Sequence, residues 1–456
     1  MPWQEGDEDV AQVAQSAIDG VGEQHTLSRR DVLAAAGLGT LGMVGSGLLE
    51  RARPALAATR IHASGSLKIG FVSPLTGPAA GFGEPDGYVL SLARKALQNG
   101  IEVGGTHYSV EIVAKDSQSG PRSAQVANDL INSDGVDLLL TTSTPETVNP
   151  VSNAAEASGV PCISTVVPWE AWYFGRQANP AKPVPFKYTY HFCFGVAQFY
   201  NAYTHLWPEA RSNKKVGVMW PNDADGNAIR ASLGPALRKA GYTIVDPGPY
   251  QDGTNDYSAQ IAKFKAENCE IFNTFPIPPD FATFWRQAAQ QGYKPKIAQI
   301  AKTGLFPAQV LALGSIGVNL AGAAYWGPTW PYQSSLTGVT SPRLASGYEQ
   351  ATGRQWNVQL GPSLALFDAA IAALKASGNP KDKQKVAAAI GRLSVDTPVG
   401  HLAWGKGSLP SNVVATPIIG GQWRKVSGSK YPLDFVICEH SSDTRVPIAS
   451  TLISYS

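Results

Sequence analysis

The sequence predicts an α/β protein built as two doubly wound lobes, and three observations lead there. Short, nearly continuous apolar runs alternate with stretches of helical period along most of the chain, the pattern of strands buried on both faces and the helices that cover them. The alternation comes in two series, one on each side of Phe186–Phe194. Once a leader is set aside, about 400 of the 456 residues remain, the size of two domains.

The leader comes first. Ser28-Arg29-Arg30-Asp31-Val32-Leu33 opens a soft run rich in Ala and Gly, and Ala55-Leu56-Ala57 closes it. The run is too broken by glycine to make a comfortable membrane span. A paired arginine, a mild apolar run and a small-residue site, in that order, have the shape of a twin-arginine export signal over residues 1–57. Arg51 and Arg53 place positive charge just before the site and disfavour the general secretory route. The expected address is the periplasm, with the signal either cleaved or kept as an anchor.

In the first series, LKIGFVS (Leu67–Ser73) reads as a strand, Tyr88–Gln98 as a helix and Ser109–Lys115 as a strand. A helix at Ala124–Ile131, a strand at Asp137–Leu140, a helix at Val148–Ala157 and a strand at Pro161–Thr165 follow. The second series runs through strand Lys215–Trp220, helix Ala228–Ala240, strand Tyr242–Val245, helix Tyr257–Glu267, strand Glu270–Phe275 and helix Asp280–Gln291. In Tyr257–Glu267 the residues Tyr257, Ile261 and Phe264 make one apolar stripe, with Asn255 or Asp256 placed to cap the helix. Helices at Ser363–Ala376 and Lys383–Leu393 and a Gly- and Pro-rich β-like tail, His401 to Ile448, complete the chain. Such alternation implies parallel sheets joined by right-handed crossovers.

Composition narrows the function. Net charge is +2 and charged residues are 16%, with no basic stripe, so nucleic acid is not the expected partner. The seven histidines are scattered, without a metal-ligand spacing. There is no Gly-x-Ser-x-Gly elbow and no local Cys–His pair. No enzymatic activity, cofactor or metal is expected. Cys162, Cys193, Cys269 and Cys438 sit in apolar runs and read as small buried residues; Cys162 and Cys193 fall on neighbouring predicted strands, and their pairing stays open.

Ligands in such folds bind at the carboxyl ends of the strands. The first loop there, Pro74 to Gly83 (PLTGPAAGFG), lacks the spacing of a phosphate loop or a dinucleotide fingerprint. Together with the strand before it, LKIGFVSPLTGPAAGFG resembles the opening of the type I periplasmic solute-binding proteins, the leucine/isoleucine/valine-binding group of ABC importers. The likeness returns at NPVSNAAEASGVPCIST, KKVGVMWPNDADG, NDYSAQIAKFKAENCEIFNTF and TPVGHLAW, covering Ser66 to Trp423. It implies two Rossmann-like lobes joined by a three-segment hinge, lobe 1 at 66–196 plus 325–416 and lobe 2 at 197–324 plus 417–456. It also implies an exported substrate-binding protein, expected as a monomer, that captures an amino acid or related small, even aromatic, carboxylate and presents it to a membrane permease.

The resemblance carries over residue by residue. Phe82 falls where a residue packs on the ligand side chain. Thr144, Glu146 and Thr147 fall in the segment that holds a ligand carboxylate, with the usual serines partly replaced. The next loop brings Pro168 and Trp169 where a threonine is usual, and PWEAWYF (Pro168–Phe174) either walls a pocket or folds on its own aromatics. Asp225 takes the place of a ring residue before a glycine. Lys302 and Thr303 fall at the ammonium-binding acid, so Lys302 either favours an anionic group or is an exposed loop lysine. Ile277, in the turn Pro276–Pro279, is expected to line the other jaw. The alternatives are a ligand-sensing module for a separate receptor, a binder of amides or urea-type solutes, and an amide hydrolase.

Overall fold

The computed structural model describes residues 65–178 and 186–456. The export signal expected over residues 1–57, with Arg29-Arg30, lies outside them. Strands β1 (Gly65–Ser73), β2 (Ile101–Val103), β3 (Thr106–Asp116), β4 (Leu138–Thr142), β5 (Cys162–Thr165) and β6 (Thr189–Phe192) come first. Next are β7 (Lys215–Met219), β8 (Thr243–Val245), β9 (Ile271–Thr274), β10 (Ile297–Ile300) and β11 (Ala321–Ala324). Late in the chain lie β12 (Ser394–Thr397), β13 (Gly400–Ala403), β14 (Val413–Val414), β15 (Ile419–Arg424) and β16 (Asp434–Ile437).

They form two seven-stranded sheets, β14-β6-β5-β4-β1-β3-β2 and β16-β15-β11-β10-β9-β7-β8, and a separate β12-β13 hairpin. The pairs among β1, β3, β4, β5, β6 and β14 are parallel, as are those among β7 to β11. Only the margins are antiparallel, β2 in one sheet and β15 with β16 in the other. The chain therefore passes between sheets after β6, after β11 and between β14 and β15.

Burial on both faces explains the strand sequences. In Leu138-Leu139-Leu140, Leu139 packs with Val126, Leu130 and Val151 on one side. Leu138 and Leu140 belong to the larger apolar cluster on the other side, with Val89, Leu364 and Phe367. Helix Leu360–Ala376 is buried at every residue from Leu360 to Ile371, and Phe367 stacks on Phe71 of β1 at 5.6 Å. A helix from late in the chain thus completes the core of the first sheet. Among the described residues no helix is long and apolar enough to cross a membrane.

Several expectations shift. Helix Tyr257–Glu267 begins one residue later, at Ser258–Ala266, with Asp256 accepting from the Ser258 N–H at 2.9 Å. β10 and β11 fall outside the expected series; β11 is Ala-Gly-Ala-Ala, poor strand formers that only a sheet context makes extended. Helix Ser341–Thr352 is also additional, although Pro342 in its first turn is a start signal. All four cysteines are free. Cys162 pairs with Thr189 at one end of β5–β6 whereas Cys193 lies beyond Phe192 at the other, a separation of ~13 Å along the strand that no disulfide spans.

Candidate functional site

The carboxyl ends of both parallel sheets face a common cavity enclosing about 430 Å³ of space, mouth included. From the first sheet come Phe82 after β1, Ser143 and Thr144 after β4, Val166 and Pro168 after β5 and Phe194 after β6. From the second come Asp225 after β7, Phe275 after β9, Ala301, Lys302 and Leu305 after β10, with Ala323 on β11 and Tyr325 just beyond it. Phe199, on helix Val196–Leu206, completes the wall. This is where an α/β sheet places ligands.

Aromatic rings dominate the lining. Tyr325 stacks on Phe194 at 5.2 Å, Phe194 meets Phe199 edge-on at 5.0 Å, and Phe199 meets Phe275 at 5.0 Å. Phe82 reaches across to Phe306 of the second lobe, edge to face at 4.8 Å. Phe194 and Tyr325 lie at two of the three passages between sheets, so the wall of the site and the connection between lobes share residues.

The polar groups are few and incompletely bonded. On the first-lobe side Ser143 is 1% exposed and its Oγ has no hydrogen-bond partner. Thr144 opens helix Pro145–Ser158 without a side-chain cap bond, so the positive end of that helix faces the cavity. On the other side Asp225 lies in the first turn of helix Ala224–Lys239, which Asp223 caps through the Gly226 N–H at 2.6 Å. Lys302 Nζ binds Asp225 Oδ2 at 2.8 Å and Asp223 Oδ2 at 3.0 Å, leaving Asp225 Oδ1 buried and unpartnered.

Burial opposes the charge on Lys302, but Asp223, Asp225 and Glu146 outweigh it and hold its pKa well above the ordinary lysine value. Burial pushes Asp225 up to about 7, with Lys302 countering and Asp223 and Glu146 adding. Strain is concentrated here too. Ser143, Val166 and Lys302, at the ends of β4, β5 and β10, have φ of 124°, 72° and 50°, a conformation that is an outlier for a β-branched valine and that clusters at functional sites.

The structure brings Phe82, Thr144, Pro168, Asp225 and Lys302 together in the cavity wall. Five other expected residues lie outside that wall. Glu146 is exposed in the first turn of its helix and acts on Lys302 through its charge. Thr147 is buried against Ser117 Oγ at 3.0 Å. Ile277 precedes helix Pro278–Gln290 half-buried, and Thr303 is buried behind Lys302. Trp169 packs on Tyr173 and Phe174 in a cluster of its own, close enough to Gly195 that a β-carbon there would lie 2.2 Å from Trp169 Nε1. The PWEAWYF segment thus folds on its own aromatics, and Trp169 backs the site from a second layer. Nor is Lys302 an exposed loop lysine: two aspartates already neutralise it, so it is not a free cation awaiting an anionic ligand.

Reading by position missed Ser143, Phe194, Phe199, Phe275 and Tyr325. Phe194 and Tyr325 adjoin the expected lobe boundaries, and that adjacency was the one available signal. Among the described residues no three His, Cys, Asp or Glu side chains come together to hold a metal.

A family model described as periplasmic binding protein matches residues 66–424. A protein of Brucella melitensis named Leu/Ile/Val-binding protein homolog 3 is 24% identical over 225 residues, 48% of this chain; the match spans 57% of that relative's length. A leucine-binding protein from Thermotoga maritima superposes with a TM-score of 0.64 at 18% identity, covering 81% of this chain and 97% of that one. A solute-binding protein of an ABC transporter from Rhodopseudomonas palustris, solved with 4-hydroxybenzoate, gives 0.64 at 16% identity, covering 84% and 98%. These structures share the two-lobed fold.

Proposed function

The chain belongs to the periplasmic binding protein family, and from that premise we propose that it is the exported substrate-binding component of an ABC importer. It captures an amino acid or a related small carboxylate with an apolar or aromatic body and presents it, as a monomer, to a membrane permease. Residues 66–196 with 325–416 act as lobe 1 and 197–324 with 417–456 as lobe 2, the three passages between them serving as the hinge. Arg29-Arg30 addresses the protein to the periplasm through the twin-arginine route. The protein binds and releases its ligand without converting it.

The observation that carries this reading is the cavity between the two sheets, walled by Phe82, Phe194, Phe199, Phe275 and Tyr325 and edged by the orphaned Ser143 Oγ. Burying the ~150 Å² of an aromatic body at about 25 cal/mol per Å² gives roughly 4 kcal/mol. The Ser143 hydroxyl and the N-terminus of helix Pro145–Ser158 supply donors for a carboxylate. Contacts made to both walls at once favour the closed state, which is how a ligand closes a hinge.

A thermal-shift screen of amino acids, aromatic acids, keto and dicarboxylic acids and amides tests the reading. A true ligand at 100 times its Kd should stabilise the fold by about 2.7 kcal/mol, rising with the logarithm of concentration. A screen in which no carboxylate shifts the melting temperature would overturn the ligand class. Turnover of a bound amide would overturn the non-enzymatic reading.

A further inference from the structure

We propose that Asp225 determines specificity in this cleft: its free oxygen, Oδ1, accepts a hydrogen bond from a donor group on the ligand distinct from the ligand's carboxylate. The proposal rests on the ligand class just given and adds the second functional group that the ligand must carry.

Three observations lead to it. Asp225 is 3% exposed and lines the cavity, and of its two oxygens Oδ2 is bound to Lys302 at 2.8 Å while Oδ1 has no partner in the protein. A buried carboxylate oxygen left without a donor is unfavourable, so a ligand that supplies one binds more tightly than a ligand that does not. Second, among the described residues Lys302 is the only basic side chain in the cavity wall, and it is already engaged by Asp223 and by the other oxygen of Asp225. Third, the two lobes offer opposite chemistry. The first presents the Ser143 hydroxyl and the positive end of helix Pro145–Ser158. The second presents an acceptor in an acidic setting, with its own Asp223 and Asp252, and the exposed Glu146 across on the first, in electrostatic reach of the same lysine. Between them the wall is aromatic and aliphatic. A carboxylate is therefore favoured at the first lobe and disfavoured at the second, where only a donor fits.

Both a hydroxyl on an aromatic ring and an ammonium group present this donor chemistry, and paired probes separate them. Benzoate against 4-hydroxybenzoate isolates the hydroxyl; 3-phenylpropanoate against L-phenylalanine isolates the ammonium. Calorimetric titration of the full chain should show the donor-bearing member of at least one pair binding roughly tenfold or more tightly, the fold-change that 1.4 kcal/mol produces.

In Asp225→Ala no oxygen remains to accept from either donor, and Lys302 keeps Asp223 as its counter-ion. That variant should lose the preference, with the ratio between paired probes falling below about threefold. Should Asp225→Ala fold poorly, Asp225→Leu fills the space without an acceptor and is read in the same way. Equal binding within both pairs by the wild type, or a preference that survives in these variants, overturns the role of Asp225 and leaves the carboxylate reading standing. If none of the four probes binds, the role of Asp225 falls, and the broader thermal-shift screen decides the carboxylate reading.

Discussion

Lys302 shows most directly how much a residue's meaning depends on its neighbours. Its position in the chain pointed to a cation offered to the ligand or to a solvent-exposed loop; Asp223 and Asp225 make it an internal counter-ion instead. Neither aspartate advertises this, because the contact joins the ends of β7 and β10 across 79 residues of chain. Phe82 was legible because it follows a recognisable strand-end loop. Phe194 and Tyr325 were not, since stacking across two passages of the chain leaves no local pattern. Ser143 and Trp169 give a paired test at this scale. Ser143→Ala should weaken carboxylate binding by about 1.5 kcal/mol, roughly tenfold in Kd, with little change in melting temperature. Trp169→Ala should do the opposite, costing roughly 3–5 kcal/mol of stability for a buried ring while any loss of affinity follows from displacement of Gly195. Denaturant unfolding and calorimetry on both variants check this, and a Trp169→Ala protein of wild-type stability with lost binding would return Trp169 to the pocket wall.

Among the elements, helix Ala224–Lys239 carries the site's charge chemistry because its first turn is held in one place. Asp223 caps it, and Gly226 sits so close to the preceding loop that a β-carbon would meet the Pro221 carbonyl oxygen at 2.1 Å. Gly226→Ala should therefore destabilise the protein by about 1–3 kcal/mol and weaken binding of a donor-bearing probe as Asp225 moves. Wild-type values for both would show that the turn tolerates the shift. The buried strands of the first series were readable because burial on both faces forces long apolar runs. β11 was not, since Ala-Gly-Ala-Ala carries no such signal and is a strand only because β10 and β15 flank it. The short helix Trp169–Tyr173 escaped for a different reason: its aromatics read equally as pocket wall or as core, and only packing against Phe186 and Gly195 decides.

Across the whole molecule, the passages between lobes are also where a buried acid sits. Glu170 Oε1 accepts from the Val196 N–H at 2.9 Å, where the chain enters the second lobe, and burial pushes its carboxyl up to about 8, with hydrogen bonds at its own backbone and at Val196 opposing. Burial likewise raises Asp86 and Asp368 in the first lobe to about 7, against hydrogen bonds that include Ser73 and Ser334. An acid whose pKa is higher folded than unfolded favours the folded state while protonated, so stability is lost as pH rises through the folded value. The melting temperature should fall as pH rises from about 4 to about 8, between the unfolded and folded values of these acids, and Glu170→Gln should flatten that decline; an unchanged slope would mean that Glu170 does not titrate there. By itself the sequence determined the α/β class, the paired series of strands and helices and the carboxyl-end loops, because the period of burial is written locally into the residues. The tertiary structure decided which lobe each late segment completes, which aromatics wall the cavity and which aspartate keeps a free oxygen. Those depend on contacts between residues distant in the chain, and no local period records them.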